Sequence, residues 1–258
     1  MVKNFSDLTG RVAVVIGGTS GIGRALSNGL AEAGADVVAS GRRQNLCEDV
    51  AAQIAALGRQ SLAHGVDIQN RASIDAFRDA VLAQFGHVDI LVNAAGQTFR
   101  QPTKDVSEAA WNQVMDVNVT GMLRACQSFY EPLVKSGHGR VINIASLSSF
   151  VALLEVAAYC ASKAAVLSLT KNLAIEWAKD GVNVNAISPG VFPTELNASL
   201  LNGTERGREF ISRTPMRRFG RTEELVGAAV LLASDSASFI TGQSIAVDGG
   251  FLAAGVTN

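Results

Sequence analysis

The chemistry in this sequence starts at Tyr159-Cys160-Ala161-Ser162-Lys163. A tyrosine and a lysine four residues apart on a helix share one face, so an ammonium stands one turn from a phenol. A free phenol has a pKa of about 10 and is a poor base at neutral pH, but a neighbouring cation favours the phenolate and lowers that value. Tyr159 is therefore expected to exchange a proton with a carbinol oxygen near neutral pH. Ser146 closes the apolar run Val141–Ala145. At the C-terminal end of a parallel strand, where open α/β sheets place their ligands, its hydroxyl would donate to the same oxygen. Each feature alone is ordinary; the weight lies in the set. Tyr130, the only other tyrosine, lies among apolar residues and is expected to pack.

A second cluster follows the first apolar run, Val12–Ile16: Gly17-Gly18-Thr19-Ser20-Gly21-Ile22-Gly23, then the helix-like Arg24-Ala25-Leu26. Glycines at a strand-to-helix turn admit a pyrophosphate close to the backbone and aim free N–H groups and the positive helix end at it. The spacing is G-x-x-x-G-x-G, not the G-x-G-x-x-G of the Rossmann fingerprint. About 20 residues beyond such a turn, an acidic residue holds ribose hydroxyls, whereas arginine accommodates a 2′-phosphate. Here that place holds Gly41, Arg42 and Arg43. Two fork-shaped guanidiniums suit a phosphate dianion, so NADP(H) is expected in preference to NAD(H).

These groups need a scaffold. Apolar runs at Val12–Ile16, Val37–Ala39, Ile90–Val92, Val141–Ala145 and Val182–Ile187 alternate with helix-length segments at Arg24–Ala33, Leu46–Leu57, Ser73–Phe85 and Ala157–Lys179. Strands separated by helices pair in parallel through right-handed crossovers. The expected fold is thus α/β, a single Rossmann-type domain over residues 1–258 with a doubly wound parallel sheet and helices on both faces. The polar, proline-flanked stretch around 190–215 reads as a substrate lid.

Composition narrows the function classes. Lys and Arg number 22 against 23 Asp and Glu, a formal net charge of −1, and no basic excess invites nucleic acid or an anionic membrane. Hydrophobic residues make up 48% and charged residues 17%, which favours a large core over disorder. No apolar stretch is long enough to span a bilayer, and Met1–Gly10 lacks a signal-peptide core, so a cytoplasmic protein is expected. Cys47, Cys126 and Cys160 read as small buried hydrophobes, and with His64, His87 and His138 scattered, no metal site is expected.

Taken together, the glycine turn, Asn93-Ala94-Ala95-Gly96, Asn118, Ser146, Tyr159 and Lys163 make the whole chain resemble a short-chain dehydrogenase/reductase. The resemblance implies that Asn93, Ala94 and Gly96, matching the family's N-N-A-G, support the sheet and the adenosine side of the cofactor. It implies that Asp67, after a third strand, takes the adenine amine with Ile68 beside it. Asn118 would hold a proton-relaying water, and Lys163 would also hold the nicotinamide ribose. Pro189, Gly190 and Thr194 would lie against the nicotinamide amide, while Ile240-Thr241-Gly242 and Val247-Asp248-Gly249-Gly250 look like the family's last turn and strand. One departure is Ile16, where the family usually has Thr.

By the same resemblance, NADPH would deliver hydride to a ketone while Tyr159 protonates its oxygen, with the reverse for alcohol oxidation. The run Arg213–Arg221, with Gly250-Phe251-Leu252, resembles the gluconate and deoxygluconate dehydrogenase branch, which implies a sugar acid or polyol substrate. Its Pro-x-x-Arg-x-Gly also occurs in 3-oxoacyl-[acyl-carrier-protein] reductases, for which Arg213, Arg217, Arg218 and Arg221 would form a docking patch. A third reading, an NADP-binding sensor without turnover, would lack part of the Ser–Tyr–Lys set. Family members are mostly homotetramers, sometimes homodimers, and the resemblance carries that assembly over.

Overall fold

Short runs of Val, Ile and Ala form strands here because both of their faces are covered. In the computed structural model, which describes residues 6–195 and 197–255, strands β1 (Val12–Ile16), β3 (Ile90–Asn93) and β4 (Arg140–Ile144) are buried at every position. With β2 (Asp36–Ser40), β5 (Asn183–Pro189) and β6 (Ser244–Val247) they make one all-parallel sheet in the order β2-β1-β3-β4-β5-β6. The expected doubly wound architecture is present.

Alternation along the strands sorts the core into two layers. Val12, Val14 and Ile16 face Phe77 of α3 (Arg71–Phe85), Phe129 of α5 (Gly121–Ser136) and Val166 of α6 (Ala157–Trp177). Ala13 and Val15 face Leu26 and Leu30 of α1 (Gly21–Glu32), Ile54 of α2 (Gln44–Ala56) and Leu232 of α9 (Val226–Ala233). Phe77 and Phe129 are fully buried, and truncating either to Ala would cost ~3–5 kcal/mol.

Strand order reverses direction between β1 and β3, and the crevice this leaves beyond their C-terminal ends is where such sheets take ligands. The helix α4 (Glu108–Met115) runs into α5 through one π-turn, Asp116–Thr120. Residues around 190–215, expected as a lid, form two short helices, α7 (Ala198–Leu201) and α8 (Glu205–Arg213); Leu196 lies outside the described residues. Among the described residues no helix is long and apolar enough to cross a membrane.

Two expectations need correction. The strand expected before Asp67 does not form: residues 59–66 run beside β2 with backbone bonds only near their two ends, Val37 N to the Gln60 carbonyl at 3.1 Å and Val66 N to the Gly41 carbonyl at 2.9 Å. Between them hydroxyls make the ties, Ser61 Oγ donating to the Val37 carbonyl at 2.7 Å and Ser40 Oγ to that of His64. Cys47 and Cys126 are buried as expected, but Cys160 is partly exposed on α6.

Candidate active site

The glycine turn is shaped by close approach. Gly17 has φ +83°, and a Cβ there would lie 2.4 Å from the Ala95 amide nitrogen, so only glycine lets the loop after β1 touch the loop after β3. Gly23 is held as tightly: its Cβ would meet the Gly17 carbonyl oxygen at 2.0 Å. Helix α1 begins at Gly21 with no side-chain cap from Ser20 and no acidic residue in its first turn. Its open N–H groups and positive end therefore face the crevice, the arrangement a pyrophosphate requires. Ile16 does not undo the turn. Its carbonyl accepts from Ala94 N at 2.8 Å, and Gly17 N donates to the Ser40 carbonyl at 2.7 Å, so backbone does the tying.

A cavity of about 720 Å³ runs from this turn across the C-terminal ends of the strands. At one end it is lined by Thr19, Gly41, Arg42, Arg43, Asp67, Ile68 and Gln69. Arg42 and Arg43 are exposed, and neither makes an ion pair among the described residues, so both guanidiniums are available to a phosphate. Asp67 Oδ1 accepts from Gln69 N at 3.0 Å, which fixes the carboxylate at the cavity wall. Donor set and charge fit a phosphorylated dinucleotide.

At the other end stand Ser146, Tyr159 and Lys163. Lys163 is buried, its Nζ donating 2.7 Å to the Ile144 carbonyl at the end of β4 and lying 5.7 Å from the centre of the Tyr159 ring. Ser146 Oγ accepts from Ser148 N at 3.1 Å, capping the turn Leu147–Ser149. That spends a lone pair and leaves the hydroxyl proton to be donated elsewhere.

Burial governs the electrostatics, and it reverses one expectation. Desolvation pulls Lys163 down from 10.5 to about 8. It also raises the Tyr159 phenol, against a lowering contribution from its hydrogen bond with Ser146. The phenol is thus not lowered by the lysine in the cofactor-free chain, because the ammonium sheds its proton before the phenol ionises.

Most of the expected residues line the cavity, including Gly17, Thr19, Ser20, Gly21, Ile22, Gly23, Ala94, Gly96, Pro189, Gly190 and Thr194. Thr194 closes over the glycine turn, its Cγ2 3.2 Å from where a Gly21 Cβ would sit. Asn93, expected to touch the cofactor, does not line it. Its amide donates to Asn143 Oδ1 at 2.9 Å, and Asn143 donates to Thr170 Oγ1 at 3.0 Å, so it joins β3, β4 and α6 as a structural tie. Asn118 also stands behind the wall. Its Oδ1 accepts from Gln97 N at 2.8 Å, and its Nδ2 donates to the Gln97 carbonyl at 3.0 Å and to Ser162 Oγ at 2.9 Å. Both amide protons are used, so a relay water could meet Asn118 only as a donor to one of its carbonyl oxygens.

Gln69, Gln97, Phe192, Glu195 and Asn197 also line the cavity and were not expected. Gln97 directly follows the Asn93–Gly96 motif, a signal that could have found it. Asn197 braces the start of the 190–215 stretch, accepting from Thr194 N at 2.7 Å and donating to the Phe192 carbonyl at 3.1 Å; nothing in local sequence marks that.

With this geometry in hand, the chain can be set beside known proteins. The family model described as enoyl-(acyl carrier protein) reductase matches residues 16–252. A 2-dehydro-3-deoxy-D-gluconate 5-dehydrogenase of Dickeya dadantii is 39% identical over 98% of this chain and 100% of its own length. A D-threitol dehydrogenase of Mycolicibacterium smegmatis is 40% identical over 95% of this chain and 94% of its own. Among solved structures, a gluconate 5-dehydrogenase from Burkholderia cenocepacia in complex with NADP and tartrate superposes with a TM-score of 0.94. It is 36% identical and covers 98% of this chain and 99% of that one.

Proposed function

The chain belongs to the short-chain dehydrogenase/reductase family, enzymes acting on CH–OH groups, and from that premise we propose that it uses NADP(H) to interconvert a ketone and a secondary alcohol of a sugar acid or polyol. The observation that carries this reading is the cavity itself, with two exposed arginines and an open helix end at one side and Ser146, Tyr159 and Lys163 at the other.

Bound nicotinamide supplies hydride chemistry, which no side chain offers. Residues 17–23 with the start of α1 would hold its pyrophosphate, Arg42 and Arg43 a 2′-phosphate, and Asp67 with Ile68 the adenine. Lys163 would hold ribose hydroxyls, and Pro189, Gly190 and Thr194 the amide. Tyr159, whose raised pKa keeps it protonated at neutral pH, gives its proton to a carbonyl oxygen in reduction and takes it back in oxidation. Ser146, whose hydroxyl bonds the Tyr159 phenol, would turn its proton to the same oxygen. Asn118 keeps Gln97 and α6 in register.

The names of the relatives support a sugar acid or polyol substrate. For the acyl-carrier alternative, the arginines of the expected docking patch lie in surface pairs, Arg213 with Glu209 and Arg218 and Arg221 with Glu224, which are weak enough to open for a partner. Arg217 donates to the Ser212 carbonyl. Residues 1–258 are read as one domain with 190–215 as its lid, cytoplasmic and self-associating as a homotetramer; Ile175 on α6, 79% exposed, suits burial between copies. The test is a substrate screen with both cofactors on gluconate, 5-ketogluconate, threitol and an acetoacetyl thioester. Turnover of the sugar acids or polyol with NADP(H) supports the reading; turnover of the thioester alone overturns it.

A further inference from the structure

Helix α4 and helix α5 would be one continuous helix but for the π-turn Asp116–Thr120, and Asn118 sits in that turn. A single π-turn shifts the register of everything in it, so whatever fixes the turn also aims Asn118. Asp116 does this with three acceptors. Its carbonyl takes the Gly121 N–H, which closes the turn. Its Oδ1 takes Arg124 NH1 at 2.8 Å from the far side of the turn, and its Oδ2 takes Gln69 Nε2 at 3.0 Å. Gln69 lines the cavity beside Asp67 and Ile68, and Gln113 of α4 donates to its Oε1 at 3.2 Å. The other end of the turn is held by the same loop: a Cβ at Gly121 would lie 2.7 Å from Ile68 Cγ1.

We propose that Asp116 is a positioning residue for the reaction: by fastening the π-turn to the loop Asp67–Gln69, it holds Asn118 where that amide clamps Gln97 and Ser162. The clamp reaches the reacting groups by two routes. Ser162 Oγ donates at 2.7 Å to the carbonyl of Tyr159, and a Cβ at Gly96, next to Gln97, would lie 3.5 Å from Asn118 Oδ1 and 3.6 Å from Lys163 Nζ. Hydrogen bonds on either side of the π-turn thus link the loop Asp67–Gln69 through Asp116, and Asn118 two residues on, to Gln97, Ser162 and the backbone of Tyr159.

The activity part of this inference rests on the proposed function; the structural part does not. In Asp116→Ala the turn loses both side-chain ties, and kcat should fall by roughly 10- to 100-fold, the scale of a small misplacement transmitted to reacting groups. NADPH affinity, measured by fluorescence, should change by less than about threefold, and the pH midpoint of kcat, set by Tyr159 and Lys163, should move by roughly half a unit or more. In nucleotide-free protein, hydrogen exchange at the Gln97 amide should speed up by about tenfold or more, since its acceptor is Asn118. Asp116→Asn keeps one side-chain acceptor, with which it can still take the Gln69 amide, and should restore kcat, midpoint and exchange in part. If Asp116→Ala folds poorly, Gln69→Leu removes one tie only and should shift exchange and midpoint in the same direction. The proposal is overturned if Gln97 exchange is unchanged in Asp116→Ala or Gln69→Leu. It is equally overturned if lost activity tracks the folded fraction while the midpoint stays fixed. Because the exchange arm uses no substrate, a wrong substrate assignment cannot be mistaken for a failed positioning role.

Discussion

Lys163 donates its Nζ proton to the Ile144 carbonyl across 2.7 Å, pinning α6 to the C-terminal end of β4 with a buried cation. The tie is expensive. The folded chain binds the lysine's proton less well than the unfolded chain does, with a pKa of about 8 against 10.5.

That difference predicts a stability gain from removing a functional residue. The penalty is fully present below pH 8 and fades as pH rises from about 8 towards 10.5, since the unfolded chain binds more protons in that window. It amounts to ~3 kcal/mol, offset by ~1 kcal/mol for the lost hydrogen bond. Lys163→Met should therefore stabilise the cofactor-free protein by on the order of 2 kcal/mol at neutral pH, with the gain shrinking above pH 8. Urea denaturation at several pH values measures it; a gain that grows with pH would contradict the burial argument.

The raised phenol sets a direction for catalysis. With Tyr159 protonated at neutral pH, ketone reduction has its acid in place, whereas alcohol oxidation must first ionise it. The rate of oxidation should climb from about pH 7 towards pH 10 while reduction does not. Initial rates in both directions across that range decide it, and a reduction rate that rises alongside oxidation would count against the assignment.

Gly17 should tolerate no side chain. Gly10 has a similar φ of +79° but nothing within 4 Å of its Cβ position, so the two glycines separate strain from collision. Gly10→Ala should cost ~1 kcal/mol, and Gly17→Ala ~2 kcal/mol or more together with NADPH binding. Equal costs by chemical denaturation would mean that contact with Ala95 is unimportant.

Arg42 should govern the choice of cofactor. It is exposed and lacks an ion pair among the described residues, so Arg42→Asp should leave stability within ~0.5 kcal/mol while moving the kcat/KM ratio towards NAD(H) by roughly tenfold or more. An unchanged ratio would reassign the 2′-phosphate contact.

Where chemistry depends on local spacing, the residues announce it. Tyr159 and Lys163 sit on one helix, the glycine turn joins one strand to one helix, and alternate residues of β1 divide between the two core layers. What depends on long-range fit does not show. Asn93 looks like a cofactor ligand by its motif, yet its partner Asn143 is 50 positions away on the neighbouring strand. The lowered tyrosine failed for a related reason: helical spacing gives the distance to Lys163 but not the burial that disfavours the charged form of both groups. The π-turn and the Gln69–Asp116 bond, spanning 47 positions, leave no local pattern at all.

The role proposed for Tyr159 is proton donor and acceptor at the reacting oxygen. Turnover of gluconate or 5-ketogluconate, followed by the absorbance of reduced nicotinamide, should fall by roughly 10²-fold or more in kcat in Tyr159→Phe, with NADPH affinity nearly intact. Full turnover by that variant would contradict the account.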